Sequence, residues 1–100
     1  MDSKVTFIFA KKGLMRFISH LDLMRLFMRA FRRADFPFKT SQGFNPHIKL
    51  SIKRALKLGL ESENEEATVT LRERMGQEEF LTKFQDKLPQ GIDIKEVNIL

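Results

Sequence analysis

Alternating apolar and polar positions predict four β-strands in this chain. The first run, 5–9, has apolar residues on both faces, which is typical of a central strand. The second, 48–52, has one apolar and one basic face. An acidic turn at 61–66 then leads into the third, 67–71, as its hairpin partner. The fourth begins at 92–94, and a change of parity after it predicts a bulge or an early strand end.

Two segments with helical spacing separate these strands. The first begins near His20, where Ser19 is the predicted N-cap and Asp22 a capping-box-like partner. It ends before Pro37, because proline disfavours helix at the residue that precedes it. The second lies over 80–88 and is closed by Pro-Gln-Gly. The order β-α-β-β-α-β predicts an α+β, ferredoxin-like fold, in which an antiparallel four-stranded sheet carries both helices on one face.

Length and composition restrict the class of protein. A chain of 100 residues suits a single domain over 1–100. It has no cysteine, which excludes disulfides, thiolate nucleophiles and cysteine-ligated metal centres. No apolar run approaches the roughly 20 residues that span a bilayer, and the first residues lack the pattern of a signal peptide. We therefore expect a cytoplasmic chain without membrane contact.

Charge divides the chain into two halves of opposite sign. Residues 1–59 hold thirteen Lys and Arg against three Asp, a net charge of +10, whereas residues 60–100 hold five Lys and Arg against ten Asp and Glu, a net charge of −5. This asymmetry indicates a polyanionic or acidic partner for the first half, with solubility alone as the alternative explanation.

Four of the eight arginines share one face of the first predicted helix. At about 100° per residue, Arg25, Arg29, Arg32 and Arg33 fall with Asp22 inside an arc of roughly 100°. The guanidinium fork fits a phosphate with two parallel hydrogen bonds, whereas lysine would serve equally well for solubility. Like charges at this spacing also destabilise a helix. We therefore expect the arginines to hold phosphates, and a solvated helix face is the alternative.

The segment 40–47 connects the first helix to the second strand and is rich in polar groups. Gly43 permits a positive φ, and Asn45 precedes a proline that stiffens the exit. Phe44 and His47 offer a stacking ring and a titratable donor. Composition alone favours a well-packed connection with Phe44 buried, and contact of this loop with a base or sugar is the alternative.

The two histidines raise the question of a metal or acid–base site. In a regular helix His20 and Asp22 point about 160° apart, so they do not share an ion. No spacing around His20 or His47 supplies the further ligands of a zinc site. We expect no metal, no cofactor and no catalytic residue, and general-base catalysis by His20 or His47 is the alternative.

Three blocks of the sequence resemble a known family. They are 16–25, Arg-Phe-Ile-Ser-His-Leu-Asp-Leu-Met-Arg; 29–34, Arg-Ala-Phe-Arg-Arg-Ala; and 41–47, Ser-Gln-Gly-Phe-Asn-Pro-His. In order and spacing they resemble the radical-SAM-linked domain of unknown function, which occurs alone or fused behind a radical-SAM enzyme and has no firmly assigned activity. The family domain is about twice as long, so the resemblance implies that this chain is its N-terminal half.

The resemblance implies a shared surface and no particular reaction. The positions that it carries over are Arg16, His20, Asp22, Arg25, Arg29, Arg32, Arg33, Ser41, Gly43, Phe44, Asn45, Pro46 and His47. Combined with the charge pattern, it leads us to predict that RNA is bound by Arg16, Arg25, Arg29, Arg32, Arg33, Gly43, Phe44, Asn45 and His47.

Three functional hypotheses follow, and the first is favoured. It is a non-enzymatic module that binds tRNA or rRNA and presents it to a radical-SAM modification enzyme, the enzyme being implied by the resemblance alone. The second is a protein-interaction module that docks on an acidic partner. The third is a small RNA-processing enzyme with a histidine general base.

Overall fold

The chain folds around a four-stranded antiparallel sheet. The computed structural model describes residues 2–43, 47–55 and 57–100. Its elements are β1 Ser3–Lys11, α1 His20–Arg33, β2 Leu50–Ile52, β3 Ser62–Leu71, α2 Gln77–Asp86 and β4 Ile92–Ile99, with a short 3₁₀ helix, Gly13–Phe17, between β1 and α1. The strand order is β2-β3-β1-β4, and every neighbouring pair is antiparallel. The predicted α+β, ferredoxin-like fold is confirmed.

Phe7 places both helices on one face of the sheet. Its ring centroid lies 5.5 Å from that of Phe27 and 6.3 Å from that of Phe31, both on α1. It also lies 6.0 Å from Phe80 and 5.2 Å from Phe84, both on α2. A single strand position projects to only one face, so α1 and α2 must cover the same face. Each of these rings is fully buried, which stabilises the fold by roughly 1.5–3 kcal/mol per side chain.

The acidic segment predicted as a turn is largely strand. β3 begins at Ser62 and takes in most of 61–66. Opposite charges on neighbouring segments support the longer strand, because Lys12 pairs with Glu63 and Arg54 with Glu65. Sequence alternation does not reveal such pairs, which explains the underestimated length.

The second strand is shorter than predicted. It is regular only over Leu50–Ile52, where it pairs with β3 as the expected hairpin partner. Ile48 instead forms an isolated bridge with Thr40. The first residue of the connecting segment 40–47 therefore pairs with the first position of the predicted 48–52 strand.

The change of parity in β4 produces the predicted bulge. On β1, Ile8 pairs with Glu96 and Phe9 with Ile94, so Lys95 is the extra residue. The bulge lets Ile94 and Val97 both pack against the core although three positions separate them. The strand then continues to Ile99, so the bulge and not an early end explains the pattern.

The first helix begins as the sequence predicts. The Ser19 Oγ accepts a hydrogen bond from the backbone N–H of Asp22 at 3.1 Å. The Asp22 carboxylate contacts Arg25 in the next turn. The helix ends at Arg33, two residues before Asp35, which has a φ of +58°. No helix in the described part of the chain is both long and apolar enough to cross a bilayer.

Gly91→Ala tests the contact between the start of β4 and the end of β1. Gly91 has a φ of +102°, and an added Cβ would lie 2.6 Å from the Lys12 carbonyl oxygen. The Lys12 N–H donates to the Gly91 carbonyl at 2.8 Å, so the two backbones are held together. We expect the substitution to lower the free energy of unfolding by about 2 kcal/mol or more, because strain and overlap add. Chemical denaturation measures the loss.

Gly13→Ala is the matched control. Gly13 also has a positive φ, +59°, but an added Cβ there meets no atom within 4 Å. We expect this variant to lose only the strain energy, about 1 kcal/mol. Equal losses in the two variants would show that the close approach at Gly91 contributes nothing.

Candidate nucleic-acid interface and buried charge cluster

The predicted arginines lie on the solvent side of α1. Arg25, Arg29, Arg32 and Arg33, here called the arginine face, are all exposed. The opposite side of the helix is buried through Leu23, Phe27, Ala30 and Phe31. The helical period of 3.6 residues separates the two sets, so packing of one side forces the other into solvent. The four arginines therefore share one exposed side of α1, and phosphate binding by them stays a prediction.

Few acidic groups neutralise the arginine face. The Asp22 Oδ1 lies 3.4 Å from Arg25 Nη1, and both side chains are 60% exposed. Among the described residues, no carboxylate forms an ion pair with Arg29, Arg32 or Arg33. An exposed pair such as Asp22 with Arg25 contributes little. The face therefore presents concentrated positive charge to an approaching partner.

Arg29 and Arg33 border a groove between α1 and the end of α2. The groove encloses about 530 Å³ and also includes Lys87 as a third cation. Asp86 belongs to the same groove and pairs with Lys87 at 3.3 Å. Apolar side chains complete the lining, among them Met15, Leu26 and Leu88. The groove therefore combines three cations, one carboxylate and apolar side chains in a single lining.

Arg16 belongs to the 3₁₀ helix that precedes α1. Its Nη1 donates to the Gly13 carbonyl at 2.8 Å, and its guanidinium lies 4.3 Å from the centroid of the Phe17 ring. Its neighbour Met15 lines the groove beside Arg29 and Arg33.

The loop predicted to contact a base is closed by two hydrogen bonds. The Ser41 N–H donates to the His47 carbonyl at 2.7 Å, and the Ser41 Oγ accepts from the His47 N–H at 3.1 Å. Gly43 has a φ of +129°, which is the conformation for which glycine was expected. Gly43 and His47 are both exposed. The remaining predicted positions lie outside the described residues: Phe44, Asn45 and Pro46.

His20 lies half-buried in the first turn of α1. Its Nδ1 is buried and has no hydrogen-bond partner among the described residues. A histidine base usually needs a third group that orients the ring, and the described residues supply none for His20. They also hold no group of three or more His, Asp or Glu side chains that could bind a metal ion.

The open face of the sheet offers no platform for stacking bases. Its positions include Lys4, Thr6 and Ile8 on β1 and Thr68 and Thr70 on β3. None of the described strand residues on this face is aromatic, since the strand phenylalanines are buried under the helices. RNA-recognition motifs with the same strand plan stack bases on aromatic residues of that face. The helix side is therefore the candidate interface in this domain.

The structure brings together a buried charge cluster that the sequence analysis missed. Lys11 is 1% exposed and Glu65 is 3% exposed, although both are charged. The irregular register between β1 and β3 pairs Lys11 with Ser62 and places Glu65 nearby. The Glu65 carboxylate accepts hydrogen bonds from Arg54 at 3.0 and 2.9 Å and one from the Ser62 hydroxyl. The Lys11 Nζ donates to the Lys57 carbonyl at 3.2 Å.

The strand periodicity contained the signal for this cluster. Lys11 continues the inward series of 5–9, and Glu65 precedes the inward series of 67–71 by the same period of two. A charge at an inward position is costly unless it is paired or hydrogen-bonded. One lysine and one glutamate at matching ends of paired strands therefore predict internal polar contacts.

The two charges of the cluster are balanced unequally. The hydrogen bonds from Arg54 hold the pKa of Glu65 below its ordinary value against the effect of burial. Burial lowers the pKa of Lys11, although the charge of Glu65 opposes the shift. Within the described residues, no carboxylate lies within ion-pair distance of Lys11. Glu65 therefore has several hydrogen-bond donors around its negative charge, whereas the positive charge of Lys11 is compensated less well.

Fold and site together define an α+β domain of ferredoxin-like plan with a basic helix face and a buried charge cluster. The chain belongs to the DUF2344 family, described as an uncharacterized protein conserved in bacteria, whose model matches residues 4–100. No curated protein and no solved structure matches the chain. The family description states no enzyme, substrate or partner, so the proposed link to radical-SAM enzymes rests on the three sequence blocks.

Lys11→Met is expected to stabilise the protein at neutral pH by about 1 kcal/mol. The methionine chain fills much of the same space without a buried ammonium, and Glu65 keeps Arg54 and Ser62. The folded-state pKa of Lys11 lies below its ordinary value of 10.5. Between the folded-state pKa and 10.5 the unfolded state binds more protons than the folded state, so the free energy of unfolding of the wild type rises with pH. The difference in stability between the variant and the wild type should therefore shrink over this range. Urea unfolding at several pH values measures both effects.

Lys12→Met provides the matched control on the neighbouring residue. Lys12 is partly exposed and pairs with Glu63, which raises its pKa. We expect its removal to be neutral or slightly destabilising, as for other surface ion pairs. A Lys11→Met protein less stable than wild type at neutral pH would mean that the ammonium stabilises the cluster.

Proposed function

We propose that this domain is an RNA-binding accessory module that presents tRNA or rRNA to a radical-SAM modification enzyme. The observation that carries RNA binding is the arginine face, with its exposed guanidinium groups on one rigid helix. Among the described residues, three of its four arginines form no ion pair, although Asp86 lines the groove beside Arg29 and Arg33. The enzyme partner is proposed from the sequence resemblance alone.

The arginine face is long enough to contact several phosphates. From Arg25 to Arg33 the helix rises by about 12 Å, which is several times the roughly 3.4 Å that separates phosphates along one strand of duplex DNA. Guanidinium groups bind phosphate in two-point geometry, so each exposed arginine can fix one position of the RNA backbone. The groove beside Arg29 and Arg33 extends this contact towards Lys87.

Discrimination among RNAs must come from groups other than these arginines. Phosphate contacts position a nucleic acid but do not read its bases. The loop with Gly43 and His47 is the proposed base or sugar contact, since both residues are exposed and the loop is held closed through Ser41. Single-stranded loops and bulges are the RNA elements that such a site can read.

Arg29→Gln is expected to weaken every RNA tested by a similar factor, because a lost phosphate contact carries no sequence information. The slope of log affinity against log salt concentration should fall in magnitude by about 0.7 to 0.9. Fluorescence anisotropy with a labelled hairpin and a labelled single strand, starting from about 50 mM salt, measures both quantities.

Lys4→Gln is the matched control for charge. It removes the same unit of charge from an exposed position on the opposite layer of the domain. We expect it to leave the salt slope unchanged. Equal weakening by both variants, or no RNA binding at about 50 mM salt, would contradict the proposed interface and favour docking on an acidic protein.

The enzyme partner calls for a separate measurement. Crosslinking of the protein in extract from its native cells, followed by sequencing of bound RNA and mass spectrometry of bound protein, should recover tRNA or rRNA together with a radical-SAM enzyme. Recovery of RNA without such an enzyme would contradict the presentation step and leave RNA binding in place. Recovery of an acidic protein without RNA would overturn the proposal.

A further inference from the structure

A pocket of about 320 Å³ lies beside the buried charge cluster. The ends of β1 and β3 contribute Lys11, Ser62 and Glu65, and the connection between β2 and β3 contributes Arg54, Lys57 and Leu60. This volume is at the small end of the range for ligand pockets, so the pocket suits a compact molecule.

Both acidic side chains of the pocket already have partners in the protein. Glu65 accepts hydrogen bonds from Arg54 and Ser62. The Glu61 Oε2 accepts from the backbone N–H of Gly13 at 2.7 Å. These carboxylates are held by internal donors, and the pocket therefore lacks a free anionic group for a cationic ligand.

Lys11 is the group whose charge is least compensated. An ammonium has three N–H donors, and the contact from Lys11 to the Lys57 carbonyl uses one of them. With Arg54 matched to Glu65, the remaining charges of the pocket are Lys11 and Lys57 against Glu61, a balance of one positive charge. Burial of an unpaired cation is costly, and an anionic ligand would offset that cost. The balance favours a ligand with a single negative charge.

The apolar side chains in the pocket lining are Ala55 and Leu60, and Leu60 indicates the rest of the ligand. Leu60 lines the pocket and is 57% exposed, and Leu58 of the same turn is 64% exposed. The Gly59 N–H donates at 2.6 Å to a carbonyl of the 3₁₀ helix Gly13–Phe17, whose Phe17 is 54% exposed. Clustered exposed apolar residues of this kind mark binding sites more often than isolated ones do.

We infer that this pocket binds a small monocarboxylate with an apolar tail. The carboxylate contacts the Lys11 ammonium, and the tail lies against Leu60. The carboxylate restores a counter-charge to the buried amine, and the tail covers exposed apolar surface. The inference is independent of RNA binding, because no residue of the arginine face lines this pocket.

Hexanoate is the probe that combines both features. Titration into ¹⁵N-labelled protein should shift the amide signals of the pocket residues saturably. Acetate has the same charge without the tail and should bind at least about tenfold more weakly, since each buried methylene tightens binding by up to about fourfold. Hexanol has the tail without the charge and should produce no saturable shift at the pocket.

Variants of the pocket residues separate the contribution of the ligand's carboxylate to affinity from the contribution of its apolar tail. Lys11→Met should weaken hexanoate binding at least about tenfold while its amide spectrum stays that of a folded protein, because the ion pair is lost. Lys12→Met should retain wild-type affinity. Leu60→Ser should retain acetate binding and lose most of the advantage of hexanoate over acetate. Equal hexanoate binding by wild type and Lys11→Met, or shifts with hexanol as large as with hexanoate, would overturn the inference.

A carboxylate of this kind comes from a free acid or from the C-terminus of a protein. An acetylated Ala-Leu dipeptide with a free carboxylate, compared with its C-terminal amide, distinguishes the two sources. Tighter binding of the free dipeptide than of hexanoate, lost on amidation, assigns the pocket to a protein C-terminus. Tighter binding of hexanoate assigns it to a free acid, and no saturable binding of either probe overturns the inference.

Discussion

The packing of Phe7 between two helices is the contact on which the rest of the structure depends. The Phe7 ring meets phenylalanines of both α1 and α2, and this fixes the two helices over one face of the central strand. Once Phe27 and Phe31 are held against Phe7, the rotation of α1 about its axis is determined. The arginine face must then point to solvent, so the exposure of the candidate interface follows from the core.

The same strand also determines where the polar pocket forms. The inward series of β1 passes from phenylalanine at Phe7 and Phe9 to a lysine at Lys11, while that of β3 starts with Glu65. The apolar core therefore ends at Lys11 and Glu65, the first charged residues in the two inward series. At that end, Arg54 and Lys57 of the connection between β2 and β3 contact these two residues. A buried charge at such a position lowers stability and is typical of a site retained for binding.

The sequence pattern predicted the features that depend on a single segment of the chain. It did not predict the features that depend on contacts between segments. The strand alternation, the Ser19 cap and the grouping of the four arginines on one side of α1 each depend on a single segment, and the structure shows all three. The extent of β3 depends on partners such as Lys12, which lie on another element. The charge cluster depends on Arg54 and Lys57, which lie in the connection between β2 and β3 and on neither of the strands that carry Lys11 and Glu65. Long-range contacts of this kind do not appear in the alternation of a single strand.

The two cationic features of the domain respond differently to their surroundings. The arginine face is exposed, so salt screens its charges over a distance of about 8 Å at physiological ionic strength. Lys11 is buried, where salt screens little and an ion pair is stronger. Under the two proposals made above, the arginine face attracts a large polyanion reversibly, whereas Lys11 selects a small ligand by shape and charge. Because the two features share no residue, one domain can use both at the same time.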